Sequence, residues 1–274
     1  MLSDFGPSLN FSPIAAQYDT RYQIDMDLLR SCYRRLINTG ALPANGTILD
    51  AGCGTGQMSL PLAQMGCQIR GYDISPEMIN IARTKVHLDV SAAYAVGDVR
   101  ALPEKDQAFD GVIVSKLFMH ISDWKKAVLE LLRVLRHGAC LVQLNDGVAL
   151  ENSVRTFFGE CADLAGFKDR FVGLPPSQHR TLADFFHENG CEEIGFDSSD
   201  LATTKHVYYG DILNQFRDRL FAEFWALPSE TYDQILSKTT DWINEFPDGR
   251  CTKEKITARI YVRVSRKARG RMRT

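Results

Sequence analysis

The run Leu49-Asp50-Ala51-Gly52-Cys53-Gly54-Thr55-Gly56 concentrates residues that could do chemistry. Its glycines stand at alternate positions, where backbone with φ > 0 can approach a ligand closely. The spacing is G-x-G-x-G, not the G-x-G-x-x-G of a dinucleotide turn. An acid, Asp50, precedes the glycines. Its charge would repel a pyrophosphate and suits an amino-acid ammonium or a sulfonium. Asp73 follows Gly52 by 21 residues, at a position where a carboxylate accepts hydrogen bonds from both hydroxyls of a ribose. Gly97-Asp98-Val99 adds an acid placed to reach an adenine amino group.

Such a set works only if strands and turns bring it to one edge. Residues 47–50 read as a short buried strand, and 57–65 as the helix opened by the glycine turn. Residues 68–72 and 92–96 are further strands, and 109–114 is apolar enough to be central in a sheet. Ser75 can cap the helix after the second strand, with Pro76 at its first position and Glu77 favourable in its first turn. Asp123 can cap a helix whose apolar residues Trp124, Ala127, Val128, Leu131 and Leu135 repeat at helical spacing, with Gly138 as its stop. Residues 140–144 are a fifth strand. This alternation implies a mostly parallel, doubly wound sheet with ligands at the carboxyl edge. Later, 181–189 reads as a helix ended by Gly190, with a strand near 193–196. Helices follow near 210–226 and 229–245, and 256–264 alternates as a last strand. In the lead-in, 25–37 has one apolar helical face.

Together, Ile48-Leu49-Asp50-Ala51-Gly52-Cys53-Gly54-Thr55-Gly56, Gly71-Tyr72-Asp73-Ile74-Ser75-Pro76-Glu77-Met78, Gly97-Asp98-Val99-Arg100-Ala101-Leu102-Pro103 and Phe109-Asp110-Gly111-Val112-Ile113-Val114-Ser115 resemble the class I S-adenosylmethionine-dependent methyltransferases, in their small-molecule, type 11-like branch. The resemblance covers roughly residues 45–145. It implies a Rossmann-like α/β fold: a doubly wound seven-stranded sheet with the last strand antiparallel, plus helical cap insertions. It implies S-adenosyl-L-methionine as cofactor and S-adenosyl-L-homocysteine as product. Position by position, Asp50, Gly52, Cys53, Gly54 and Gly56 would hold the methionine part. Asp73, Ile74 and Met78 would meet ribose and adenine, Asp98 and Val99 the adenine edge, and Ser115 matches the end of strand four. Tyr18, in Gln17-Tyr18-Asp19, sits in a lead-in that such enzymes fold over the cofactor; a surface aromatic is the plainer reading. The expected organisation is a helical lead-in over 1–46 and a methyltransferase domain over 47–274, with cap elements within about 146–180 and 198–250.

Methyl transfer from a sulfonium is an in-line displacement that needs alignment first and a general base only when the acceptor loses a proton. His120, in Ser115-Lys116-Leu117-Phe118-Met119-His120-Ile121, is the candidate catalytic residue; the competing reading is a histidine that shapes the loop. Cys53 reads as a small residue rather than a nucleophile. Asn145-Asp146 has no second acid clearly placed for a metal, so none is expected. Nucleic-acid enzymes acting on exocyclic amines carry an Asn/Asp-Pro-Pro-aromatic segment where this chain has Ser115-Lys116-Leu117-Phe118, and no Pro-Cys occurs. A small-molecule acceptor is therefore expected, handled by a monomer or homodimer. The alternatives are an RNA methyltransferase or a catalytically silent binding subunit. No tyrosine has a lysine four residues on, which speaks against a short-chain reductase.

Composition agrees. Hydrophobic residues make up 45%, enough for a sizeable core, and the net charge of −2 is not that of a bulk nucleic-acid binder. Arg266, Lys267, Arg269, Arg271 and Arg273 crowd the last nine residues and read as a solvated end; setting these five aside leaves −7 on the rest. No stretch approaches the ~18 apolar residues of a membrane span. No signal peptide is visible, and the 7 scattered cysteines read as reduced thiols, so a cytoplasmic location is expected.

Overall fold

Strand β1 (Thr47–Ala51) is buried along nearly its whole length because it is paired on both sides. The computed structural model describes residues 8–22, 24–87, 90–146 and 152–269. Beside β1 lie β2 (Gln68–Asp73) and β4 (Phe109–Ser115), both parallel to it; β3 (Ala92–Val96) pairs β2 and β5 (Leu135–Asp146) pairs β4, also in parallel. Strand β8 (Lys253–Lys267) enters between β5 and β6 (Cys191–Ile194) and runs antiparallel to β6. The sheet order is thus β3-β2-β1-β4-β5-β8-β6, and β7 (Ala202–Tyr208) pairs β8 alone, off this path. The doubly wound sheet of seven strands is present as expected, with one extra strand.

The helices are α1 (Ala15–Arg21), α2 (Met26–Asn38), α3 (Leu60–Gln64), α4 (Pro76–Thr84), α5 (Trp124–Val134), α6 (Ser153–Leu164), α7 (His179–Glu188), α8 (Tyr209–Arg217) and α9 (Ser229–Asn244). Ser75 Oγ accepts the Met78 N–H at 3.1 Å and caps α4 as its sequence indicates. Four expectations need correction. The helix expected near 210–226 stops at Arg217, because Arg219 turns to φ +51 and Ala222–Phe224 form a separate 3-10 turn. Helix α3 starts at Leu60 rather than 57, because Gln57–Ser59 are still turning out of the glycine loop. Asp123 stands at the N-cap of α5 but makes no capping bond. Gly138 does not stop α5: the helix ends at Val134, and Gly138 (φ +80) lies inside β5, beside a register shift between Phe109 and Gly111 of β4.

The basic end is also different from expectation. Arg266 and Lys267 are the last residues of β8, not a frayed tail. Lys267 Nζ donates to the carbonyls of Leu132 and Leu135 at 2.7 and 2.8 Å, where α5 hands over to β5. Those carbonyls have no helical partner, so Lys267 acts as a side-chain cap. Lys267→Met is expected to cost about 1–2 kcal/mol, a fall of roughly 2–8 °C in Tm by calorimetry. Arg269 is described; Arg271 and Arg273 lie outside the described residues.

The chain divides into two compact units. The first comprises residues 1–145, 172–201 and 260–274 and holds the parallel sheet. Its core lies on both sheet faces: Ile48, Ile69, Ile113 and Val142 point to one side, and Leu49, Val112, Val114 and Leu141 to the other. This is the period-2 alternation of a strand. The second unit comprises 146–171 and 202–259 and has its own aromatic core. Phe158 stacks on Phe216 at 4.0 Å and Phe157 on Trp242 at 4.5 Å. Tyr209 and Phe216 of α8 are spent on this packing.

Candidate active site

The parallel strands end together, which places their last residues on one edge. Asp50 lies in β1, opposite Gly71 and Ile113. Only 1% of it is exposed, and its Oδ2 is buried with no hydrogen-bond partner. Burial pushes its carboxyl up to about 7, with the negative field of Asp73 adding to this and a hydrogen bond from Ser59 opposing it. A buried carboxylate with an empty acceptor site calls for a cationic donor.

The glycine turn is tied down from below. Gly52 and Cys53 donate their N–H groups to Tyr72 O at 2.8 and 3.0 Å. Gly54 donates to Asp73 Oδ2 at 2.8 Å, and Ser75 to Asp73 Oδ1 at 2.9 Å. Asp73 therefore links the loops after β1 and β2; burial raises its pKa against the pull of these bonds. Gly56 adopts φ +72, and a Cβ there would lie 2.7 Å from Tyr94 Cζ. Gly52 adopts φ +70, and a Cβ there would meet Leu117 Cδ1 at 2.6 Å. Asp73 and the glycine turn thus form one bonded unit, with Asp50 buried beside it.

Other candidates fall less simply. Cys53 is buried and its thiol is raised well above its ordinary range by burial, which keeps it neutral and unreactive. Met78 is fully buried within the core, so its side chain is packing. Ile74 and Ser115 are half-buried at the ends of β2 and β4. Val99 is buried. Asp98 is close to the edge but committed. Arg100 binds both of its oxygens, Nε to Oδ1 at 2.9 Å and Nη2 to Oδ2 at 2.7 Å, and its N–H adds a third bond at 2.9 Å. Both side chains are buried, so Arg100 sets the orientation of any acceptor lone pair that Asp98 still offers.

The lead-in reaches this edge at three places. Asp19 accepts from Thr55 Oγ1 at 2.5 Å and pairs with Lys85, whose Nζ also donates to Thr55 O at 2.9 Å. Ser12 Oγ meets Ser75 Oγ at 2.8 Å and bonds Glu77. Leu9 N–H donates to His120 O at 3.0 Å. The loops after β1, β2 and β4 are therefore bound by one segment. Tyr18 lies on α1, its ring 4.7 Å from that of Tyr22, and Lys116 Nζ sits 5.7 Å from the Tyr22 centroid. Asp19, Ser12 and Lys85 were not singled out from sequence. Only the neighbourhood of Asp19 to Tyr18 pointed there, because bonds between distant segments leave no periodic trace.

His120 follows β4, with the Phe11 ring 5.0 Å away, edge-on. Its Nδ1 is buried without a partner, and burial plus the Lys116 charge lower its pKa to about 4. The ring is neutral at pH 7. Its backbone also shapes the loop, the N–H donating to Leu117 O at 2.9 Å.

A family profile described as a methyltransferase domain matches residues 49–142, the stretch from the glycine turn to β5. The demethylmenaquinone methyltransferase of Thermus thermophilus is 36% identical over 140 residues, 49% of this chain and 63% of that one. YqeM of Bacillus subtilis, a methyltransferase by name, is 33% identical over 166 residues, 58% of this chain and 67% of that one. The matched region spans about half to two thirds of the length of the curated relatives it matches. The crystal structure of the YcgJ protein of Bacillus subtilis has the same fold, with a TM-score of 0.55 at 19% identity over 88% of this chain and 99% of its own.

Proposed function

Because the chain belongs to the class I S-adenosylmethionine-dependent methyltransferases, we propose that it moves a methyl group from S-adenosyl-L-methionine to a small-molecule acceptor by in-line displacement. The observation that carries this reading is Asp50: a carboxylate sealed in the sheet with one oxygen unpartnered, beside a turn of glycines. When bound, the cofactor supplies an electrophilic methyl group on a sulfonium. The chain's own residues bind and align. Asp50 would take the ammonium, the turn from Gly52 to Gly56 would pass along the methionine portion, and Asp73 would accept from the ribose hydroxyls. Asp73 Oδ2 takes the Gly54 N–H and Oδ1 the Ser75 N–H, and a carboxylate's four lone pairs leave capacity for a hydroxyl. Ile74, Asp98 and Val99 would frame the adenine. Tyr18 and the rest of the lead-in, pinned through Asp19 and Ser12, would exclude water.

His120 is the candidate for meeting the acceptor's proton. Held near 4, its imidazole stays neutral with Nδ1 uncommitted. A base this weak holds a proton in a hydrogen bond more than it removes one. The demethylmenaquinone acted on by the Thermus relative supports an acceptor of small-molecule size. Residues 1–46 are the proposed lead-in of the domain, and 146–180 and 198–250 the proposed source of cap elements. The free cysteines, most of them buried, support a reducing, cytoplasmic setting. No helix of the described residues is long and apolar enough to cross a membrane.

Two experiments test the reading. The full chain is titrated with S-adenosylhomocysteine by calorimetry, and labelled S-adenosylmethionine is incubated with a metabolite extract. Failure to bind at millimolar ligand would sink the cofactor assignment, and label entering only RNA would sink the acceptor class.

Asp50 gives a sharper test. At pH 6 the free protein holds this carboxyl largely protonated, and an ammonium partner favours the ionised form. Binding at pH 6 should therefore release about one proton. Calorimetry in buffers of different ionisation enthalpy reads this directly, and Asp50→Asn should abolish it. In the free protein the sign for stability is opposite to that of a salt-bridged acid. The folded state binds more protons than the unfolded between 3.8 and about 7, so the ionised carboxyl costs stability as pH rises through that window. Asp50→Asn should raise Tm at pH 8.

A further inference from the structure

Beside the glycine turn, within the first unit, lies a pocket of about 510 Å³ that none of the motifs accounts for. It is bounded by the loop after β4, the ends of β4 and β5, the approach to α7 and the middle of β8. Leu117 belongs to both places: it packs against Gly52 on one side and lines the pocket on the other. The opposite wall is held to this loop by backbone. Gly173 and Leu174 donate N–H groups to Met119 O and Phe118 O, both at 2.9 Å. A Cβ on Gly173 would lie 2.1 Å from Phe118 O, so only glycine permits this approach.

The lining mixes apolar and polar side chains in about equal measure, and one of the polar groups is buried without a partner. Val114, Leu174 and Leu182 supply apolar surface. Gln143, on β5, is only 8% exposed, and its Nε2 is buried with no hydrogen-bond partner. A buried amide donor left unmade is costly, and a leucine or valine would pack there without that cost. Nearby, Arg263 donates to Glu193 at 3.1 Å and to His179 O at 3.0 Å, and Lys116 adds a further positive charge. The wall is therefore net positive. Pockets of this volume hold drug-sized ligands.

We propose that this pocket receives the body of the methyl acceptor, a small molecule with an apolar face against Val114, Leu174 and Leu182 and a phenolic or carboxylate oxygen that takes the free N–H of Gln143. This rests on the methyltransferase reading above. The unsatisfied amide is then a recognition group whose partner arrives with the substrate, and the positive wall favours the anionic form of the ligand.

The probes are 2-naphthol and 2-naphthoate, titrated by fluorescence against the full chain, Gln143→Leu and Ser198→Trp, which fills the pocket from a half-buried wall position. Saturable binding to the wild type is expected, with affinity about tenfold lower in Gln143→Leu and lost in Ser198→Trp. S-adenosylhomocysteine affinity should stay within about twofold in both variants, because neither touches the cofactor groups. Gln143→Leu should also raise Tm by roughly 2–4 °C. Label transfer to small molecules from the metabolite extract should fall at least about tenfold in Ser198→Trp. No saturable probe binding to the wild type at millimolar concentration, or equal binding to all three proteins, overturns the proposal. A lowered Tm with unchanged probe affinity in Gln143→Leu assigns the amide to the fold and overturns it too. Undiminished label transfer in Ser198→Trp shows that the acceptor binds elsewhere. Loss of S-adenosylhomocysteine binding by the wild type is a separate result and fails the methyltransferase reading instead.

Discussion

Asp73→Ala should weaken binding of S-adenosylmethionine and its demethylated product by at least about 100-fold. Two losses add. The carboxylate accepts from the ribose hydroxyls in the proposed complex, and charge-assisted bonds are worth about 1.5–3 kcal/mol each. The same oxygens hold the loops after β1 and β2, through Gly54 N–H and Ser75 N–H. Without them the turn is no longer preorganised, and ordering it is charged against binding. At 1.4 kcal/mol per factor of ten, one hydroxyl bond and part of the loop suffice for the predicted loss. Asp73→Asn keeps one acceptor oxygen and should fall between. Calorimetric titration of each purified, folded variant reads the result. Affinity in Asp73→Ala within about threefold of wild type would remove this residue from the ribose role.

Gly56→Ala is expected to have the largest effect on stability. The residue adopts φ +72, and a methyl group there would lie 2.7 Å from Tyr94 Cζ and 2.8 Å from its hydroxyl. The left-handed conformation alone costs an L-residue about 1–2 kcal/mol. Tyr94 cannot simply retreat. It is buried, its hydroxyl meets Ser59 Oγ at 3.0 Å, and its ring covers Gly71. The sum is about 3 kcal/mol, a fall of roughly 6–12 °C in Tm. Gly54→Ala is the control. It carries a similar backbone cost at φ +51, but nothing lies within 4 Å of its added methyl. Its Tm should drop by roughly a third to two thirds as much, while cofactor affinity falls sharply, because that open space is where the ligand would lie. Equal Tm losses in the two variants would show that the Tyr94 contact is not what fixes Gly56.

These contrasts show why the turn was legible before the fold was known. Gly-x-Gly-x-Gly with an acid on either side is a local pattern. Its φ values and the strand that leads into it follow from residues adjacent in the chain. The strands at 47–51, 68–73, 92–96 and 109–115 were readable for the same reason, since runs of apolar residues between glycine and proline breaks state their own period. Ser75 as the cap of α4 is equally local. Strand β7 was not readable: Ala202–Tyr208 is polar, pairs on one side only, and carries no clean alternation. Nor was the end of α5, expected at Gly138, where Lys267, more than a hundred residues away, takes the carbonyls of Leu132 and Leu135.

What the sequence determined by itself is the class of chemistry: three acids at strand ends, a glycine turn that admits a cation, and an α/β order that puts them on one edge. What only the tertiary structure decided is how each group is used. Asp50 became a buried carboxylate with an open valence, while Asp98 became half of a buried ion pair with Arg100, although the two look alike in the sequence. Met78 turned into core. Asp19 and Ser12 became the clasps of the lead-in, and Gln143 became a buried amide without a partner in a pocket wall. Residue type and spacing carry information about neighbours in the chain. Burial, protonation and hydrogen-bond partnership depend on neighbours in space, and those are set only when distant segments close on one another.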